Sequence, residues 1–345
     1  MECNGMKRYY CTYFDHRYLD KGKALYYSML AHCDDFNLFV LCLSTECYEE
    51  LQKLKLSGMF LIYLEELEKW DNELLRTKTT RSPIEYYFTC TPSLPLYILE
   101  HFSHVDLITY LDSDLFFFSD PEPLFDEMQE NSIAIIGHKF PAHFRQLEDT
   151  GKYNVGWLSF RRDASGLSCL TWYRERCIEW CYDRIENGKY ADQKYLDYFP
   201  EKFLNVIELQ HKGANLAPWN ITNYNLTPTG PYLRVDDQLL IFYHFQGVKR
   251  VIGPLYNSGL SMYQVEMNKI MRKKLYNPYI QCLYENRTII EYGINDIVRG
   301  GTVYYTCLRD MVRFLNYSVK NHGLSISSLT SNPYVICWGN PIDGR

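Results

Sequence analysis

The stretch FNLFVLCLS (residues 36–44) is uncharged and has a single polar side chain, Asn37, before its last residue. Side chains alternate across a strand, so a strand that is apolar at consecutive positions must be covered on both faces. That is the situation of a parallel sheet held between helices. The flanking segments fit this reading. RYYCTYFD (8–15) reads as a strand ending in polar residues, and KGKALYYSMLAHC (21–33) as a helix on which Leu25, Met29 and Cys33 share a face. CYEELQKLKLSG (47–58) suits a helix closed by Gly58, and MFLIYLEEL (59–67) another strand. SPIEYYFTCTPSLPLYILEHF (82–102) reads as mainly helical, with Pro92 and Pro95 expected to break or begin segments, and VDLITYLDSD (105–114) as a strand. This alternation predicts an α/β fold with a mainly parallel central sheet and helices on both faces. Ligands of such sheets bind at the carboxyl ends of the strands.

The second half is less regular. SIAIIGHKF (132–140), YNVGWLSFRR (153–162), NVIEL (205–209) and QLLIFYHFQG (238–247) read as strands. LTWYRERCIEWCYDRIENG (170–188) reads as an amphipathic helix stopped by Gly188, and ADQKYLDYFPEKF (191–203) as a short helix. A mainly helical tail begins near Tyr256 with SMYQVEMNKIMRKKLYNPYIQCLY (261–284), and a further helix near residues 302–321 carries Arg309, Arg313 and Lys320. The expected division is a catalytic domain over residues 1–255 and a helical extension over residues 256–345.

One stretch needs a chemical explanation. ITYLDSDLFFFSDPEPLF (108–125) interrupts an apolar run with Asp112-Ser113-Asp114. Two carboxylates two apart in a strand point the same way, and burying them beside aromatic bulk costs several kcal/mol each without a positive partner. A hard divalent cation, Mg²⁺ or Mn²⁺, is such a partner and could bridge to diphosphate oxygens. His244, at the end of IFYHFQGVK, could complete the site, manganese in particular accepting imidazole. Gly247 then permits a tight turn or a close phosphate approach, and Lys249 supplies a cation at diphosphate reach. A phosphoryl-transfer enzyme with a nucleophilic aspartate is disfavoured, because its motif follows the first strand, not one a hundred residues into the chain.

Composition removes several classes. The net charge of −6 provides no basic field for nucleic acid. The 12 cysteines show no CxxC spacing, so no zinc site is expected. The start, MECNGMKRYYCTYF, has no apolar leader, and no stretch approaches the roughly 20 apolar residues of a membrane span. A reducing cytoplasm is the expected compartment. The 31 tyrosines fit sugar-stacking platforms and compositional bias equally.

The set YLDSDLFFFSDPEPLF, YNVGWLSFRRD, YADQKYLDYFP and YHFQGVK resembles GT-A-fold glycosyltransferases, closest to the retaining group of glycogenin and bacterial lipooligosaccharide galactosyltransferases. The similarity spans roughly residues 8–250, and its strength lies in four motifs in the family's order. The resemblance implies a Rossmann-like mixed sheet and transfer of a hexose-type sugar from a nucleoside-diphosphate donor, UDP-linked. The acceptor would be a glycan or lipid-linked saccharide, as in bacterial surface polysaccharide or lipopolysaccharide synthesis. It implies Asp112, Asp114 and His244 as metal ligands, with Ser113 beside the donor and Lys249 against the diphosphate. Asn154 and Gly156 would line the sugar pocket, and Asp192 and Gln193 would lie near the donor's reactive carbon. Thr12, Tyr13 and Asp15 would sit where the nucleoside binds, and Arg81 and Glu85 in a region that touches the donor. The family's usual Lys-Pro-Trp is replaced by GVKRVIG, and Trp157 follows the Asn-x-Gly segment.

Other readings remain beside these. Asp192 could simply cap the helix that follows it, and Asp237-Gln238 is a second Asp-Gln pair. Trp157 and Trp219 could stack on an acceptor or fill the core. Retention is implied by the family, whereas Asp192 as a base would serve inversion. A sugar-nucleotidyltransferase and a non-catalytic carbohydrate- or partner-binding protein are the competing functions. The basic helix near residues 302–321 suggests peripheral contact with the inner face of an anionic membrane.

Overall fold

The computed structural model describes residues 7–252, 255–292 and 334–336. Seven strands form the central sheet: β1 (Arg8–Phe14), β2 (Phe36–Cys42), β3 (Met59–Tyr63), β4 (Leu107–Leu111), β6 (Ile133–Gly137), β7 (Tyr153–Arg161) and β8 (Val206–Leu209), with β5 (Leu115–Phe117) outside it. Their order is β3-β2-β1-β4-β7-β6-β8. All run parallel except β7, which is antiparallel to both β4 and β6. This is the mixed, mainly parallel sheet that the sequence led one to expect.

The period-2 alternation of the strands assigns two cores. On one face Tyr10, Leu38, Val40 and Trp157 pack with α1 (Leu19–His32), α2 (Thr45–Leu54) and α6 (Glu122–Met128). On the other Cys11, Phe39, Leu41, Tyr110 and Leu158 pack with α3 (Leu64–Trp70), α5 (Pro83–His101) and α7 (Ala164–Glu179), while α4 (Asn72–Thr77) adds Leu74. Phe39 and Val40 are both fully buried, which is why residues 36–44 tolerate so little polarity. Each such side chain contributes about 1.5–3 kcal/mol on burial.

Several local expectations are corrected. The α5 helix runs unbroken through Pro92 and Pro95. Its start is fixed by a capping box between Ser82 and Glu85, and its buried face from Thr89 to Leu99 packs on β4 and α7. Tertiary burial here outweighs the cost of two prolines. The α2 helix is closed by Lys55 in the left-handed region (φ 47°), and Gly58 (φ 70°) forms the turn into β3. The α7 helix begins at the Asp163 cap and ends at Trp180, so Gly188 shapes a later turn. Residues 64–67, read as strand, open α3.

Beyond α8 (Phe199–Lys202), strands β9 (Leu226–Thr229), β10 (Tyr232–Val235) and β11 (Gln238–Leu239) make a small sheet. The strand β12 (Phe242–His244) pairs antiparallel with β5, and β13 (Lys249–Ile252), β14 (Leu255–Asn257) and β15 (Tyr334–Ile336) form a last sheet. The 255/256 division falls inside β14. The helical tail is present as α9 (Lys269–Met271), a π-helical turn (Arg272–Tyr276) and α10 (Asn277–Tyr292). It closes a third core, in which Phe245 stacks on Tyr279 at 3.8 Å and Tyr243 shares a hydroxyl contact of 3.1 Å with Tyr276. The basic helix expected near residues 302–321 lies outside the described residues. Among those described, no helix is long and apolar enough to cross a membrane.

Candidate functional site

The strand β4 ends at Leu111, and residues 112–114 turn sharply before β5, with Leu115 N donating to Asp112 O at 3.3 Å. A turn, not an extended strand, therefore brings the two carboxylates together. The β5–β12 register sets His244 opposite Leu115, and Phe245 N donates to Asp114 O at 2.9 Å. That pairing carries His244 across 130 residues of chain to the acidic turn. Its Nε2 lies 3.0 Å from Asp114 Oδ1 and 3.6 Å from Asp112 Oδ2. One ligand atom from each of Asp112, Asp114 and His244 lies within 4.8 Å of the others.

The surroundings set the charges. Burial pushes the Asp112 carboxyl above its ordinary range, against the pull of His244, while Tyr110 donates to its Oδ1 at 3.0 Å. Burial would raise Asp114 as well, but Lys21, 3.4 Å from its Oδ2, and His244 together hold it well below the usual carboxylate value. Burial lowers His244, yet the two carboxylates outweigh it and keep the imidazole above its ordinary value. Its Nδ1 is buried without a hydrogen-bond partner among the described residues. Two carboxylates and one imidazole, partly buried and convergent, are a donor set that fits Mn²⁺ or Mg²⁺. Gly156 leaves room for the imidazole, because a Cβ there would lie 3.0 Å from His244 Nδ1 and 2.6 Å from Asn154 Oδ1.

Asp112 and His244 line a cavity of about 320 Å³ together with Tyr13, Asn154, Asp192, Gln193 and Trp219. Beside them lies a neutral network. The β6–β7 register shifts between Ala134 and Ile136, so that Ile136 pairs with Asn154. Asn154 Nδ2 approaches His138 Nε2 at 3.1 Å and Gln193 Oε1 at 3.4 Å, and its Oδ1 accepts from Gly156 N at 3.0 Å. Gln193 Nε2 donates to Thr150 O at 3.1 Å. Burial drops His138 to about 3, so the ring is neutral. With Nδ1 facing Lys152 O at 3.3 Å, Nδ1 holds the proton and Nε2 accepts from Asn154.

Asp192 is 4 % exposed and makes no side-chain cap bond to the turn that follows. Burial raises its carboxyl to about 7, and the charge of Asp112 adds to this. It follows Ala191, an alanine held at φ 43° by a 3.0 Å bond from its N–H to Tyr182 O. A non-glycine residue in the left-handed region is strained, and such strain clusters where side-chain direction matters.

The other residues singled out in the sequence lie elsewhere. Thr12 is fully buried, its hydroxyl without a partner among the described residues, and Asp15 accepts from Arg17 N at 2.9 Å. Arg81 bonds Thr89 and the Ile178 carbonyl, tying α5 to α7, and Glu85 caps α5 and accepts from Asp183 N at 3.1 Å. Ser113 occupies the acidic turn. Gly247 (φ 80°) turns against Gly259, and Lys249 is exposed on β13. None of Thr12, Asp15, Arg81, Glu85, Gly247 or Lys249 lines the cavity. Asp237 and Gln238 engage Lys212 and likewise lie off it. Trp157 is core, stacked on Phe242 at 5.5 Å, whereas Trp219 lines the cavity and donates to His138 O at 3.0 Å. Lys21, His138, Phe140, Tyr190 and Tyr263 escaped the sequence reading. No local signal marks Lys21, a lysine in an ordinary helix, until the fold sets it against Asp114.

No family model matches the chain. It is 32 % identical over 295 residues to Bacillus subtilis (strain 168) YfnD, covering 85 % of this chain and 94 % of that protein. It is 35 % identical over 251 residues to YfnF of the same organism, covering 70 % and 82 %. Both relatives are described as uncharacterized. Among solved structures, it is similar to the galactosyltransferase LgtC in complex with donor and acceptor sugar analogs, at TM-score 0.46 and 16 % identity over 69 % of this chain and 87 % of that one. Mouse xyloside xylosyltransferase 1 gives TM-score 0.46 at 13 % identity over 70 % and 98 %.

Proposed function

The chain belongs to the family of YfnD and YfnF, and we propose that it is a metal-dependent glycosyltransferase acting in the cytoplasm. In this reading it moves a hexose-type sugar from a nucleoside-diphosphate sugar, UDP-linked, to a glycan or lipid-linked saccharide of the bacterial surface, with retention. The observation that carries the proposal is the convergence of His244 on Asp112 and Asp114 at a cavity that Asp192 and Gln193 also line. Glycosyl transfer needs both sets of groups: one that offsets the charge of a departing diphosphate, and one that faces the reacting sugar carbon.

Asp112, Asp114 and His244 would hold Mn²⁺ or Mg²⁺, and the imidazole favours manganese over the oxygen-demanding magnesium. The bound cation would supply electrostatic stabilisation to the leaving diphosphate. Asp192 and the Gln193 amide supply negative or dipolar charge beside the sugar, fixed in place before it binds. Asn154 sets the direction of the Gln193 carbonyl through their 3.4 Å contact. Trp219, with Phe140 and Tyr263, gives the cavity an apolar wall on which a sugar ring can stack.

The test is hydrolysis of a panel of nucleotide sugars in Mn²⁺. Asp112→Asn should lower the rate by about 10²–10³-fold, the range seen when one preorganised electrostatic group is lost. An Asn variant as active as the unaltered protein would sink the metal assignment. With an acceptor in hand, a β-linked product from an α-linked donor would overturn retention.

A further inference from the structure

Lys21 stands in the first turn of α1, and its ammonium reaches into the acidic turn. Nζ lies 3.4 Å from Asp114 Oδ2 and 4.4 Å from the centre of the Tyr18 ring, and the side chain is 12 % exposed. His244 Nε2 meets the other oxygen of Asp114 at 3.0 Å. Both oxygens of Asp114 are therefore engaged, one of them by a full positive charge. Asp112 differs, having a phenol on Oδ1 and only the more distant imidazole on Oδ2.

The first turn of α1 is held from two sides. Leu19, Leu25 and Met29 are buried against the sheet. On the far side Lys23 is fully buried, with Nζ 3.3 Å from Asn286 O on α10, and Asn286 Nδ2 donates to Asp20 O at 3.5 Å. The backbone that presents Lys21 is thus clamped between the sheet and α10, and the ammonium can leave Asp114 only by rotating its own side chain. A divalent cation gathered by Asp112, Asp114 and His244 meets a like charge already on one of its three ligands.

We propose that Lys21 is the resident counter-cation of Asp114, competing with the divalent ion for that carboxylate and setting the ion's affinity. The inference rests on reading Asp112, Asp114 and His244 as a metal site. Two cations that share one carboxylate are negatively coupled, and removing one strengthens the other by the same free energy. Lysine is suited to the role, being a compact charge on a flexible stem that can move off and return.

The experiment is a titration of the full chain with Mn²⁺ alone, without nucleotide, reading free Mn²⁺ by electron paramagnetic resonance. Lys21→Met, similar in length and uncharged, should bind Mn²⁺ at least about fivefold more tightly than the unaltered protein. Lys21→Arg keeps the charge and should bind no more tightly than the unaltered protein. Equal or weaker binding by Lys21→Met overturns the inference and leaves the metal site standing, as does tighter binding by Lys21→Arg. Binding to none of the three proteins overturns the metal reading and this inference together.

Discussion

The two groups of side chains at the cavity are built on opposite principles. In the charged group Lys21, Asp112, Asp114 and His244 crowd four ionisable side chains around a single turn, and their pairings are of charge. In the neutral group His138, Asn154, Gln193 and the Thr150 carbonyl carry no charge, and each donor faces a defined acceptor. A cluster of charges can exchange one cation for another, since Coulomb attraction is hardly directional. A network of amides cannot, because reversing one member leaves buried dipoles head to head. The charged group is therefore suited to a partner that comes and goes, and the neutral group to holding one orientation. Asp192 lines the same cavity, buried like the neutral groups yet sensitive to the charge of Asp112.

The strongest test of the contrast is to ask on which side Asp192 falls. Its carboxyl titrates near 7 in the folded protein, because burial disfavours the ion, against an ordinary value near 4 for an unfolded aspartate. Below pH 4 both states are protonated and the group costs nothing. Between pH 4 and 7 the unfolded chain has released a proton that the folded chain retains, so stability falls as pH rises through that window and levels off above it. In chelator, Asp192→Asn should gain on the unaltered protein from pH 4 to pH 8 by up to about 4 kcal/mol. Urea denaturation at the two pH values measures this. A difference that does not change with pH would place Asp192 among solvated charges.

Gly156 is the hinge of the comparison, because one member of each group, Asn154 and His244, approaches it. A Cβ there would stand 2.6 Å from Asn154 Oδ1 and 3.0 Å from His244 Nδ1. Gly156→Ala should lower stability by about 2 kcal/mol, as overpacking of a closed site does. Mn²⁺ affinity should fall as well, since the imidazole has to shift. An alanine variant with unchanged stability and metal affinity would show that the two groups do not touch through this residue.

The sequence made the sheet legible, and the site only in part. The run of residues 36–44 and its flanking helices announced a parallel sheet, because burial on both faces leaves a local signature. Asp112 and Asp114 stood out for the opposite reason, as charges in apolar surroundings. His244 was readable through the Gly that follows and the family's motif order, but the β5–β12 register that delivers it is long-range information. Pro92 and Pro95 misled because helix α5 is stabilised by packing that local propensity does not contain. His138 and Lys21 were invisible for a different reason. A histidine after IAIIG and a lysine in an ordinary amphipathic helix look like any others until the fold sets them against Asn154 and Asp114.

The smallest expected effect probes the direction of the neutral network. Gln193 donates from Nε2 to Thr150 O at 3.1 Å and accepts on Oε1 from Asn154 Nδ2 at 3.4 Å. Gln193→Glu keeps the shape and removes the donor, so at neutral pH a carboxylate oxygen is forced against the Thr150 carbonyl. The cost should be about 1 kcal/mol, that of one hydrogen bond replaced by an unpaired acceptor. Protonation restores an O–H donor, so the penalty should shrink as pH falls below about 5, opposite to the pH at which Asp192→Asn gains most. Thermal melts of the unaltered protein and the Glu variant at pH 4.5 and 7.5 read the two values. A penalty equal at both would mean that the side chain turns its amide away from Thr150, and the fixed direction claimed for the neutral group would fall with it.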